Sequence, residues 1–290
     1  MQVIISAIAE GLLWSFMAIG IYISFRILKR PDLTTEGSFP FGAAVASTLI
    51  VNGVDPMIAT IMAFISGALA GFITGFLMTK ANIHGLLAGI LVMTGLYSVN
   101  LVVMGRSNVS LLNATRLTNL VSEYLILPAD FDTIIIGVLL LLVVVSLLIF
   151  YFKTDSGQAL IATGDNENMA RSMGIKTDSM KILGLALANG LIGLSGGLIS
   201  QYNGYADISM GIGIFVIGLA AIIIVEIFYK DLSLSARFVS IPIGAIIYRF
   251  IVAFALYIGL PPQLLNLVSA VVLGIVLFLP KLTEKRGVRQ

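Results

Sequence analysis

The chain has no cysteine in its 290 residues, one histidine, one tryptophan, and only 11% charged residues. Without cysteine there are no disulfides, no thiolate chemistry and no cysteine-held metals. The lone histidine, His84, has no metal-ligand partners nearby and reads as an interface residue. No GxxxxGK[ST] occurs, so the chain carries no ATP-binding P-loop of its own. A net charge of +2 is too small to suggest a nucleic-acid partner. Soluble domains are near 25% charged. At 58% hydrophobic, with a mean hydropathy of +1.04, this is an integral membrane protein. No soluble stretch exceeds about thirty residues, so residues 1–290 form one membrane domain. The first 27 residues are too long for a removable signal peptide and lack its cleavage site; they read as a first span.

A helix needs about 20 apolar residues to cross a bilayer. Nine candidate spans follow: Val3 to Ser24, Phe41 to Asn52 (short), Met57 to Met78, Gly85 to Met104, Thr133 to Tyr151, Ile182 to Ser200, Gly213 to Phe228, Phe238 to Tyr257, and Leu264 to Leu279. The expected class is an all-α polytopic membrane protein. Of 17 Lys and Arg, fourteen fall on one side: Arg26, Lys29, Arg30, Lys80, Lys153, Arg171, Lys176, Lys181, Lys230, Arg237, Lys281, Lys285, Arg286 and Arg289. Arg106 and Arg116 fall on the other, and Arg249 lies within a span. The positive-inside rule then puts the N-terminus outside and the C-terminus in the cytoplasm.

This orientation makes "TGDNENMARSMGIKTDSMK", Thr163 to Lys181, a cytoplasmic loop, part of a polar connection of about residues 153–181. Asp165 suits an N-cap, Glu167 the first turn and Gly174 the C′ stop. These predict a short helix from about Asn166 to Met173. Its length and mixed charge suit docking in another protein's groove; an ordinary solvated loop helix fits equally well.

Two segments look alike: "RPDLTTEGSFPFGAA" from Arg30 and "NGYADISMGIGIFVIGLA" from Asn203. Asp32-Leu33-Thr34 matches Asp207-Ile208-Ser209, and Gly37 and Gly42 have the spacing of Gly213 and Gly218. They enter from opposite sides, which predicts interrupted half-helices in an inverted repeat, four spans plus one plus four. Transporters place their path where such segments meet. Irregular backbone survives in the membrane only against protein or a water-lined route. Residues 31–40, if extended, would climb about 30 Å before the half-helix begins. The path residues expected from this are Thr35, Glu36, Ser38, Phe39, Asn189, Asp207, Ser209 and Met210, with Thr34, Tyr202, Asn203 and Tyr205 adding polar or aromatic character. The lining should be narrow, Gly-rich and largely uncharged, suited to transient passage. Gly67, Gly71 and Gly75, and Gly190, Gly193, Gly196 and Gly197, read as helix-packing faces. Among the intramembrane charges, Glu10, Glu226 and Arg249, the depths of Glu10 and Arg249 match, which predicts a structural ion pair.

"ATGDNENMARSMGIKTDSMK" resembles the cytoplasmic coupling segment of ABC importer permeases of the branched-chain amino acid and ribose type. Ala162, Gly164, Asn166, Ala170, Arg171, Gly174 and Ile175 fit that pattern. The EAA motif of maltose-type permeases fits poorly, because Asn168 and Met169 replace its first two residues. "FRILKRPDLTTEGSFPFGAAVA", Phe25 to Ala46, looks like a subfamily linked to aromatic amino acids, tryptophan especially. The resemblance implies a non-catalytic permease subunit whose loop, through Asp165, Glu167, Asn168, Ala170, Arg171, Gly174 and Ile175, contacts a separate ATPase. It further implies a homodimer of permeases, two ATPase subunits that bind ATP and magnesium, and an extracellular binding protein, in the cell membrane. The chain itself would then need no cofactor or metal. The alternatives are an ion-coupled secondary transporter, for which only Glu10, Asp32, Glu36 and Asp207 could hold a coupling ion, or an ABC permease for a sugar or nucleoside. A membrane enzyme is disfavoured, because no nucleophile, base and metal-ligand cluster occurs.

Overall fold

A computed structural model describes residues 2–122, 130–229, 232–261 and 264–287; Lys230 and Arg289, counted above in the charge asymmetry, lie outside them. Among the described residues, seven helices are long and apolar enough to cross a bilayer. The chain is a multi-pass cell-membrane protein.

Helix α1 (Gln2–Tyr22) passes into one π turn, Ile23–Ile27, in which the Leu28 N–H donates to the Ile23 carbonyl at 2.9 Å. Lys29, at φ 54°, then breaks the helix. The second helix, α2 (Thr35–Val51), begins six residues before the expected Phe41 and carries Pro40 inside it; the expected extended climb does not form, since Leu33 and Thr34 make a turn and Thr35 to Pro40 are helical. Proline in a helix removes one N–H and leaves the carbonyl four residues back without its helical donor. Here that carbonyl belongs to Glu36, and a neighbouring segment covers it, as described below.

Helix α3 (Pro56–Thr79) starts under Asp55, whose carboxylate accepts the Met57 N–H at 2.8 Å, with Pro56 pre-set for the first helical position. Helix α4 (Gly85–Met104) stops at Gly105, left-handed at φ 66°. A ribbon not expected from sequence follows: β1 (Asn108–Ser110) pairs antiparallel with β2 (Tyr205–Asp207), Asn108 opposite Asp207. The remaining elements are α5 (Leu117–Ser122), α6 (Phe131–Lys153), α7 (Asp155–Asp165), α8 (Glu167–Ser172), α9 (Thr177–Asn203), a 3₁₀ turn (Ile208–Gly211), α10 (Ile214–Phe228), α11 (Leu234–Tyr257) and α12 (Leu265–Gly287). Helix α11 starts four residues before the expected Phe238 because the Ser233 hydroxyl caps it, accepting from the Ala236 N–H.

Helix α9 is the centre of the bundle, buried along most of its length against α3, α2 and α1. Its glycines and those of α3 allow the approach. A side-chain carbon at Gly67 would sit 2.2 Å from the Asn189 carbonyl oxygen, and one at Gly71 2.1 Å from that of Leu185. Only small residues let helices pack so closely in lipid. The helix contacts also fall into matched pairs: α3 packs on α9 as α11 packs on α1, α2 on α9 as α10 on α1, and α2 on α4 as α10 on α12.

Candidate functional site

A cavity of about 450 Å³ lies between α2, α4 and the 3₁₀ turn. Its walls are Glu36, Gly37 and Pro40 from α2, Met93, Thr94, Tyr97 and Asn100 from α4, and Ile208, Ser209 and Ile212 from the turn and its exit. Gly37 brings α4 close: a side-chain carbon there would meet Met93 Cα and a Leu96 methyl, each at 3.0 Å. Gly211 lies on the Glu36 carbonyl freed by Pro40, where an added carbon would sit 2.0 Å from the oxygen. The Glu36 carboxylate reaches the same segment, its Oε1 accepting the Gly213 N–H at 3.2 Å. One residue thus ties the two interrupted segments together.

Asn100 is fully buried, and neither its Oδ1 nor its Nδ2 has a hydrogen-bond partner among the described residues. A carboxamide has two donors and two lone pairs. Leaving a buried polar group unmet costs about 1–3 kcal/mol. Thr94 and Tyr97 stand on the preceding turns of the same helix, and both are exposed at the cavity. None of these three was expected; the available signal was polar side chains at positions 94, 97 and 100 of an otherwise apolar helix.

The residues expected on the path separate into groups. Glu36 and Ser209 line the cavity. Thr35, Ser38, Phe39 and Asn189 are instead buried where α2 crosses α9. Ser38 Oγ donates to Asn189 Oδ1 at 2.7 Å, and Asn189 Nδ2 donates to Asp32 Oδ2 at 2.6 Å. Asp32 Oδ1 accepts the Thr34 N–H at 2.9 Å, closing a buried latch that holds the start of α2. Asp207 caps the 3₁₀ turn, accepting the Ser209 N–H at 2.8 Å, and Met210 packs against the hydrophobic core. Glu36 is the one charged side chain among the described residues of the cavity wall.

A second polar surface lies at the Lys/Arg-rich end. The helix expected from Asn166 to Met173 is α8, but its cap is Asn166, whose Oδ1 accepts the Met169 N–H at 3.1 Å. Asp165 is the last residue of α7 and pairs with Lys29 at 2.8 Å, so the chain breaks one residue later than expected. Gly174 ends the unit at φ 85°. Glu167 is a hub, bound by Lys181 at 2.5 Å, Arg30 at 3.0 Å and Arg171 at 3.2 Å. The Lys181 hydrogen bond, more than the charges of Arg30 and Arg171, holds the Glu167 carboxyl below the usual carboxylate range. Arg171 also donates to Thr177 Oγ1 at 3.0 Å, at the start of α9. Gly164 sits on the π turn, where an added carbon would fall 1.8 Å from the Ile27 carbonyl oxygen. Ala170 is buried and Ile175 half-buried, while Asn168, Met169 and Met173 face outward. The two methionines, one turn apart, form an exposed adaptable apolar ridge.

The structure sets the Arg249 guanidinium against the Glu10 carboxylate, with the Trp14 ring 5.1 Å beneath it. Glu226 is held by Arg26 and, at 3.3 Å, by Arg237.

Residues 3–279 match the family model described as the branched-chain amino acid transport system permease component. A tyrosine transport system permease protein of Clostridioides difficile is 39% identical over 94% of this chain and 90% of its own length. An autoinducer 2 import system permease protein of Yersinia enterocolitica is 27% identical over 91% and 72%. The solved structure of PsaBC from Streptococcus pneumoniae in complex with Fab shares the fold, with a TM-score of 0.52 at 16% identity, covering 94% of this chain and 89% of that one.

Proposed function

Because the chain belongs to the family of branched-chain amino acid transport system permease components, we propose that it is the membrane subunit of an ATP-driven importer for an amino acid, with an aromatic side chain as the preferred cargo. The observation that carries the ATP-driven reading is the polar surface formed by α7 and α8. It presents Met169 and Met173 outward, while Glu167, Arg171 and Gly164 fasten it to the start of α9, to Arg30 in the linker that leads to α2, and to the π turn that ends α1. A rigid lever so mounted would pass a push from a separate ATPase to the latch of Asp32, Asn189 and Ser38. ATP and its magnesium ion would bind that ATPase rather than this chain. The tyrosine permease among the relatives supports the amino-acid cargo.

In this reading two permease copies pair with two ATPases and an extracellular binding protein. Residues near Asp165 to Ile175 face the cytoplasm and the N-terminus faces outside. The matched helix contacts support an inverted repeat of α1–α4 and α9–α12 around α6, with nine passes in all. The test is Arg171→Glu or Gly174→Trp in the assembled complex. Each should cut uptake at least tenfold while ATP hydrolysis and membrane insertion persist. Wild-type uptake in both variants would defeat the assignment.

A further inference from the structure

We infer that the cavity between α2, α4 and the 3₁₀ turn is a holding site for a free amino acid in its zwitterionic form. The inference rests on the amino-acid importer reading and adds a place where the permease itself grips the cargo. The wall carries one carboxylate, Glu36, and neither lysine nor arginine. One Glu36 oxygen accepts from Gly213, and no protein donor among the described residues reaches the other. That oxygen suits a primary ammonium, since a charge-assisted hydrogen bond is about twice as strong as a neutral one.

The ligand's carboxylate would then need neutral donors. Asn100 Nδ2, buried and unpartnered, supplies one; the Thr94 hydroxyl, which donates to the Ile90 carbonyl at 2.8 Å, gives a second once it turns to the ligand. Apart from Ser209, the rest of the wall is apolar or aromatic, with Tyr97 and Met93 on one side and Ile212 on the other. About 450 Å³ falls in the range of small-molecule pockets. A sugar would leave Glu36 without a cation, and a simple carboxylic acid would be repelled by it. Because Glu36 belongs to one interrupted segment and Ser209 and Ile212 to the other, a ligand held here would be released when the two move apart.

The experiment uses the full permease in nanodiscs of phosphatidylcholine and phosphatidylglycerol, whose headgroups offer no primary ammonium, with tritiated L-tyrosine as probe. L-Tryptophan should displace the probe. 4-Hydroxyphenylpropionate, which lacks the ammonium, and D-ribose should not. Glu36→Gln should weaken binding at least tenfold. Asn100→Leu should weaken it at least fivefold while raising the melting temperature, because an apolar residue of similar size replaces an unmet amide. No tyrosine binding, wild-type binding in either variant, a lower melting temperature for Asn100→Leu, or displacement by added phosphatidylethanolamine would each overturn the inference. Uptake by the assembled complex separates the two readings. If it imports tyrosine with an unchanged KM in both variants, the holding site fails and the importer stands. If it imports only ribose, the amino-acid reading itself fails.

Discussion

Replacing Glu167 with glutamine keeps its shape and removes the charge on which three cations converge. The three pairs are not equal. Lys181 is 12% exposed and bonds at 2.5 Å, so its contribution belongs at the lower end of hydrogen bonds to charged groups, about 1.5 kcal/mol. Arg30 and Arg171 are 43% and 61% exposed, and solvent screening leaves about 0.3 kcal/mol each. The expected loss is about 2 kcal/mol, a fall of roughly 4–8 °C by the usual scaling for large domains. Differential scanning fluorimetry of the purified permease reads it. The pH dependence has a definite sign. The folded carboxyl titrates below its unfolded value of about 4.3, so the stabilisation is complete above that pH and is lost as pH falls through the folded value. Wild type and Glu167→Gln should therefore differ by a constant amount from pH 8 to about 5 and converge in stronger acid. Double-mutant cycles should rank the coupling Lys181 first, then Arg30 and Arg171. A Glu167–Lys181 coupling below about 0.3 kcal/mol, or no convergence in acid, would refute the hub.

Two further predictions concern the membrane interior. Removing Glu10 or Arg249 alone leaves a charge that costs roughly 2.5–3.5 kcal/mol on insertion scales, so each single variant should destabilise more than the double variant; additive losses in thermal melts would mean the two do not interact. In single-cysteine variants, Cys at Ser209 should react with small aqueous thiol reagents and Cys at Ser38 should be protected, because Ser209 is exposed at the cavity and Ser38 is buried against Asn189; labelling by the same reagents that favours position 38 would move the path to the α2–α9 seam.

Most spans were legible in the sequence because lipid demands long apolar runs, and the stop of α8 was legible in Gly174. The start of α2 was not, since Pro40 reads as a barrier to a helix when only local chemistry is considered. What allows it is Gly211, far along the chain, lying on the Glu36 carbonyl that Pro40 leaves free. Ser38 and Asn189 were recognisable as polar residues within apolar segments, but sequence cannot distinguish a residue facing a cavity from one bonded across a helix crossing. Asn100 was missed for the converse reason: a lone amide in a membrane helix stands out only once its lack of partners is visible. Helix α7 was overlooked because its polar composition reads as loop, while its position depends on Gly164 meeting the π turn.

We propose that this permease moves an amino acid inward at the expense of ATP hydrolysed on a partner subunit. The decisive experiment is tyrosine uptake by proteoliposomes that hold the permease with its cognate ATPase, with the binding protein on the side corresponding to the cell exterior and ATP on the side of the ATPase. Tyrosine should accumulate only when ATP, the ATPase and the binding protein are present together, whatever the proton or sodium gradient. Accumulation driven by an ion gradient with the permease alone would contradict it.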